Sequence, residues 1–145
     1  MSDVHTNPER LWSRLMDMAE VGATPARGSN RQALSDDDRA GRELFVGWAE
    51  RAGCSIELDG VGNLFARRDG TDPDALPVVL GSHLDTQPTG GRFDGVYGVL
   101  GGLEVVEALK EPHGGVVVVG DEDDSELGHG PDPIAVELAA IPRPH

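Results

Sequence analysis

Two short runs without a polar residue, Val78-Val79-Leu80 and Val116-Val117-Val118-Val119, bracket a segment of helical periodicity, and that arrangement restricts the chain to few folds. A strand apolar on both of its alternating faces is one buried on both sides, as in parallel sheets covered by crossover helices. Val99, Leu103 and Val106 repeat at helical spacing between the runs, which predicts a helix over 96–109 and parallel pairing of the two strands. Gly98, Gly101 and Gly102 each cost that helix about 1 kcal/mol relative to alanine. The cost makes sense where the helix backbone packs close to a strand or loop.

The remainder of the chain agrees with an α/β domain. Asn7 and Pro8 suit the N-cap and first position of a helix whose apolar face is Leu11, Leu15 and Met18, with Gly22 as its stop. Residues 23–33 carry Gly, Pro, Ser and Asn without periodicity and read as a long loop. Ser35 caps a second helix with Leu44, Trp48 and Ala52 as its apolar stripe. Asp36, Asp37 and Asp38 then lie at the positive end of its dipole, a helix start and not a cation site. Strands are expected at 55–58 and 63–67, where Asp59-Gly60 between them favours an antiparallel hairpin. The predicted order is α, α, β, β, β, α, β. A chain of 145 residues fits one domain. With 4% aromatic residues, its core must rely on Leu, Val and Ala.

Charge and cysteine usage narrow the function classes. Twenty-six acidic against 12 basic side chains give a net charge of −14, which argues against nucleic acid as a partner, because phosphates call for Lys and Arg. The excess suits divalent cations, and it equally suits ordinary solubility. Cys54 is the single cysteine, so no internal disulfide forms, as in a reducing compartment. No apolar run approaches the roughly 20 residues needed to cross a bilayer, and residues 1–10 lack the apolar core of a signal peptide. The expected location is cytoplasmic, without a membrane partner.

Chemistry concentrates after the first apolar run. His83 and Asp85 sit where the strand ends, the position at which ligands gather in open α/β sheets. The His-x-Asp spacing lets the carboxylate hold the ring nitrogen that is not on a metal. Asp94 follows on a loop able to fold back beside His83. These types in this pattern suit a metal site, although His83 and Asp85 could also do no more than satisfy a turn.

The longer stretch Gly81-Ser-His-Leu-Asp-Thr-Gln-Pro-Thr-Gly-Gly-Arg-Phe-Asp-Gly-Val-Tyr-Gly-Val-Leu resembles the metal-binding core of the M20-type amidohydrolases. It looks most like their hydantoinase/carbamoylase branch: N-carbamoyl-L-amino acid hydrolases, allantoate amidohydrolases and β-ureidopropionases. Leu34-Ser-Asp-Asp-Asp-Arg, Ala52-Gly-Cys and Val61-Gly-Asn-Leu-Phe-Ala-Arg are similar too, so the resemblance covers roughly 8–110. It implies the N-terminal portion of a mixed-sheet, helix-flanked metallohydrolase catalytic domain over 1–119. It further implies a hydrolase of linear non-peptide C–N bonds, acting on small molecules that bear a carbamoyl, ureido or amide group.

By the same resemblance His83 would bind one divalent ion, Asp94 would bridge two, and Asp85 would orient and polarise His83. The ions would be zinc or manganese. Family members carry a Glu-Glu pair after the next core strand, which here falls on Glu122 as general base and Asp123 as a shortened metal ligand. The family also supplies two further His ligands, substrate-binding Arg and Asn residues and a dimerisation domain, none of which has a counterpart here. Residues 120–145 read as a divergent tail, from a frameshifted or truncated frame, in which His113 before it and His129 and His145 within it are solvated. The chain by itself is therefore expected to be inactive or weakly active, or to be a non-catalytic remnant or metal-binding module.

Overall fold

The first helix starts where its N-cap signal lies. In the computed structural model, which describes residues 4–109, the backbone of 116–121 and the side chain of Val118, α1 (Pro8–Glu20) opens with Asn7 Oδ1 accepting the Arg10 N–H at 3.0 Å. The second helix, α2 (Asp36–Arg51), opens in the same way on Ser35 Oγ, which accepts the Asp38 N–H at 3.1 Å.

The buried face of α2 differs from the expected stripe. Gly41, Phe45, Trp48 and Ala49 face the core together with Asp38, whereas Leu44 and Ala52 stand at its margin. Gly41 leaves room for Arg31, whose Cδ would lie 2.7 Å from an added Cβ. A glycine and an aspartate carry no apolar signal, so periodicity turned the predicted face toward the neighbouring leucine.

Strands β1 (Ser55–Leu58) and β2 (Leu64–Arg68) form the expected antiparallel hairpin, with Leu58 opposite Leu64. β2 begins one residue later than predicted because Asn63 belongs to the turn. Asp59 Oδ1 accepts the N–H groups of Val61 and Asn63 at 3.0 and 2.9 Å, and Oδ2 accepts the Asn63 amide at 2.8 Å.

The remaining elements are β3 (Val78–His83), α3 (Val96–Ala108) and β4 (Val116–Asp121). Among the described residues the sheet runs β1-β2-β4-β3, with β4 parallel to β3 and antiparallel to β2. The sheet is therefore mixed, and the all-valine run is an interior strand with Val118 fully buried. The other apolar run differs from expectation: Val78, Val79 and Leu80 are half-buried, because β3 is an outer strand of this sheet. Phe45, Trp48 and Met18 join the aliphatic core, so two of the few aromatic residues are placed centrally.

Helix α3 lies on β3 and β4. A Cβ on Gly98 would fall 2.8 Å from Ser82 Cβ, and one on Gly102 would fall 3.2–3.3 Å from Val118 Cγ1 and Leu80 Cβ. At Gly101, by contrast, an added Cβ would meet no atom within 4 Å among the described residues. Two outcomes follow from this difference. Gly98→Ala should lose about 1–3 kcal/mol to overpacking, while Gly101→Ala should gain roughly 0.5–1 kcal/mol from helix propensity. Urea denaturation of both variants checks the pair.

Helix α1 packs against α3 through charge. Arg10 Nε and Nη2 donate to Glu104 Oε2 and Oε1, each at 2.8 Å, and the Asn7 N–H also reaches Glu104. Arg14 pairs with Glu107 one turn along. Glu104 is buried while Arg10 keeps part of its surface in solvent, so the pair is desolvated on its carboxylate side. Among the described residues no helix is long and apolar enough to cross a membrane. His113, His129, His145, Glu122 and Asp123, with the boundary proposed at 119–120, lie outside the described residues or at their edge.

Candidate functional site

The site begins at the last residue of β3. His83 pairs in register with Asp121 of β4, and the chain then turns inward so that Leu84, Asp85 and Thr86 are buried. His83 Nδ1 lies 3.0 Å from the Asp85 backbone carbonyl. A carbonyl can only accept, so Nδ1 carries a proton and Nε2 is the ring nitrogen turned outward. Nε2 lies 3.9 Å from Asp94 Oδ1. Both side chains are open to solvent, at 37% and 53% exposure, so the gap between them is reachable by an ion or ligand.

Asp85 stands beside the ring as the spacing suggests, yet its role is divided. Its Oδ1 comes within 3.2 Å of His83 Nδ1 without an aligned hydrogen bond, and among the described residues that buried oxygen has no hydrogen-bond partner. The carbonyl of Asp85 fixes the tautomer, and its carboxylate places negative charge next to the imidazole.

Asp94 is held by its backbone at the entry to α3. Its N–H donates to Gly91 at 3.2 Å, and its carbonyl accepts the Val96 N–H at 2.7 Å. Gly95 follows as N-cap, with no side chain to cap the helix and φ at +67°. A Cβ there would meet His83 Cε1, Nδ1 and carbonyl oxygen, each at 2.4 Å. Gly95 is thus a site residue that motif reading passed over. Its signal is a glycine where Ser, Thr, Asn or Asp would normally cap a helix.

Arg31 was also missed, within a segment read as featureless loop. Ser29 and Gly90 exchange backbone hydrogen bonds at 3.0 Å each, which ties that loop to the segment between Asp85 and Asp94. Arg31 is completely buried behind the turn and donates Nε to the Leu84 carbonyl at 2.8 Å. Burial pushes its pKa below the ordinary arginine value, against the opposing charges of Asp38, Asp85 and Asp37. Burial likewise raises the Asp38 pKa, over the Leu34 N–H that its carboxylate accepts and the charge of Arg42.

One imidazole nitrogen and one carboxylate oxygen 3.9 Å apart could share an ion at about 2.0–2.2 Å from each. Among the described residues no group of three His, Cys, Asp or Glu side chains converges on a metal position. The structure thus brings together His83, Asp85 and Asp94. It leaves Glu122 and Asp123 outside its described part, where they follow Asp121 in sequence.

No family model matches the chain, but individual relatives do. An N-carbamoyl-L-amino-acid amidohydrolase of Rhizobium meliloti is 58% identical over 105 residues, which is 72% of this chain and 25% of that protein. A crystal structure of a hydantoinase/carbamoylase family amidase from Burkholderia ambifaria superposes with a TM-score of 0.78 at 55% identity, over 81% of this chain and 30% of that one. The chain is a relative of the hydantoinase/carbamoylase family amidases. It corresponds to the N-terminal part and spans about a quarter of the length of the curated relatives it matches. A ureidoglycolate hydrolase of Oryza sativa, an activity that motif reading did not name, is 35% identical over 109 residues, 75% of this chain and 22% of that protein. Relatives of this chain are thus named for carbamoyl and for ureido substrates. An aminopeptidase PepT from Bacillus cereus, at 19% identity and TM-score 0.60, shares the fold alone.

Proposed function

We propose that this chain supplies part of the site of a metal-dependent amidohydrolase that cleaves linear, non-peptide C–N bonds. The substrates would be small N-carbamoyl amino acids or ureido acids. The observation that carries the reading is the pairing of the outward Nε2 of His83 with Asp94 Oδ1, 3.9 Å apart, while Nδ1–H is held by the Asp85 carbonyl. A soft-to-borderline imidazole and a hard carboxylate suit zinc and manganese alike. A bound divalent ion would supply polarisation of the scissile carbonyl and activation of water at neutral pH.

The chain's own residues do the rest of the preparation. His83 offers Nε2 because Nδ1–H is committed to the Asp85 carbonyl, and the buried Asp85 carboxylate makes the ring a better donor. Asp94 adds an anionic oxygen from a loop pinned by backbone bonds. Glu122 as general base and Asp123 as a further ligand belong to the proposal because the strand preceding them is in register with His83 at Asp121. Aspartate reaches one methylene less than glutamate, which weakens a second metal position. A cytoplasmic setting is part of the same reading and rests on the single, buried Cys54.

Calorimetric titration with zinc or manganese tests the site. The wild-type chain should bind an ion, and His83→Ala and Asp94→Asn should each weaken it by at least about tenfold. Equal binding by all three proteins would remove the assignment. Since two donors converge among the described residues, the 145-residue polypeptide alone should hydrolyse N-carbamoyl amino acids, ureidoglycolate or 3-ureidopropionate no faster than its His83→Ala variant. Metal-dependent turnover clearly above that control would mean that a complete site assembles, with ligands from 122–145 or from a second copy.

A further inference from the structure

Arg31 meets the candidate metal turn at three points. Its N–H donates to Thr86 Oγ1 at 2.7 Å, and its carbonyl accepts the Thr86 N–H at 2.7 Å. Its Nε donates to the Leu84 carbonyl at 2.8 Å. Leu84 and Thr86 flank Asp85, so both neighbours of that residue are held by one side chain and one backbone unit from a distant loop. The other arm of the guanidinium is anchored away from the turn. Nη1 donates to the carbonyls of Val21 and Met18 at 2.9 and 3.3 Å, and to Ser29 Oγ at 3.1 Å. The turn carrying His83 and Asp85 is thereby braced against the C-terminal end of α1.

A buried guanidinium without a direct carboxylate partner is costly, and a hydrocarbon side chain would fill the same space without desolvation. Arginine's planar fork is suited to a task that hydrocarbon cannot do, reaching carbonyls in two directions at once. Its Nη2 and the nearby Asp38 Oδ1 and Asp85 Oδ1 are buried without hydrogen-bond partners among the described residues. The charges of Asp38 and Asp85 both act on Arg31.

We infer that Arg31 is a positioning residue for the candidate metal site: by holding the carbonyl of Leu84 and the N–H and Oγ1 of Thr86 it presents the Asp85 carbonyl to His83 Nδ1 and so keeps Nε2 as the free donor. The inference rests on the metal reading above, but it makes a statement about the metal-free chain that can be measured separately. Long-range proton–nitrogen correlation spectra of the imidazoles, recorded near pH 8.5 where an imidazole is ordinarily neutral, report the tautomer of His83, assigned by its loss in His83→Ala. The wild-type chain should show the Nδ1–H form. Arg31→Met, Arg31→Lys and Thr86→Val should show a tautomer mixture, and their affinity for zinc should fall by about 10–100-fold. Leu103→Ala, a core truncation away from the turn, should lower the melting temperature while retaining both the tautomer and the affinity. If Arg31→Met does not fold, the lysine and Thr86→Val variants decide the matter. An unchanged Nδ1–H tautomer in the folded variants would overturn the inference, as would its loss in Leu103→Ala or its absence from wild type. Failure of the wild-type chain to bind zinc would instead overturn the metal reading, with the tautomer still deciding the role of Arg31.

Discussion

Gly95→Ala should unseat His83 and produce the largest loss of any single methyl group added to this chain. Two costs act together. At φ of +67° an alanine gives up roughly 1–2 kcal/mol to its own backbone. The added Cβ would also lie 2.4 Å from the His83 ring and from its carbonyl oxygen. The ring could rotate away from that contact, but the carbonyl belongs to the end of β3 and cannot move without disturbing its pairing with β4. A total loss of about 2–4 kcal/mol in urea denaturation is expected from strain and overpacking combined. Zinc or manganese affinity should fall by about 100-fold or more, because the ring must leave its tautomer-fixing contact. Near-wild-type stability and affinity in Gly95→Ala would show that the junction between β3 and α3 is far more yielding than its geometry indicates.

The second large effect concerns Glu104. Its carboxylate is buried where α1 crosses α3 and receives Arg10 and the Asn7 N–H, while Arg10 is itself 33% exposed. Removing one partner of a buried pair costs about 3–5 kcal/mol, and partial exposure of Arg10 places Glu104→Ala at the lower end of that range. Acid should act through the same group. Burial alone would raise the Glu104 pKa, but the Arg10 hydrogen bond, the Asn7 N–H and the charges of Arg10 and Arg14 outweigh it and hold the pKa below the ordinary 4.5. A carboxylate depressed in the folded state stabilises the protein above its unfolded pKa and loses that contribution as pH falls through the folded value. Wild-type melting temperature should therefore decline below about pH 4.5 more steeply than that of Glu104→Gln. Parallel declines for the two proteins would count against the pair as the source.

The sheet was legible because its signals are local. Val116–Val119 has no polar face to offer, which leaves an interior strand as its natural place, and the pairing of β4 with β3 and β2 puts it there. Asn7 and Ser35 were legible as caps because capping satisfies N–H groups within a few residues of the signal. The half-burial of Val78–Leu80 was not, since an outer and an inner strand of identical composition differ in what lies beside them. Nor was the face of α2, where Gly41 lies under Arg31 from another segment and Asp38 is buried beside it.

By itself the sequence determined the element order, the starts of α1 and α2, the hairpin, the βαβ unit and the grouping of His83, Asp85 and Asp94 after β3. These follow from periodicity, capping and a dense motif, all of which act over short separations. Only the tertiary structure decided which nitrogen of His83 faces Asp94, that the Asp85 carbonyl and not its carboxylate takes the Nδ1–H, and that Gly95 lies against the His83 ring while Arg31 holds the adjoining turn. Each of those depends on contacts closed by folding: a carbonyl turned toward a ring, a glycine backbone against an imidazole, and a guanidinium reaching the turn from 53 residues away. Hydrogen bonding and steric exclusion act over a few ångströms in space, whatever the separation along the chain, and a linear pattern carries no record of them.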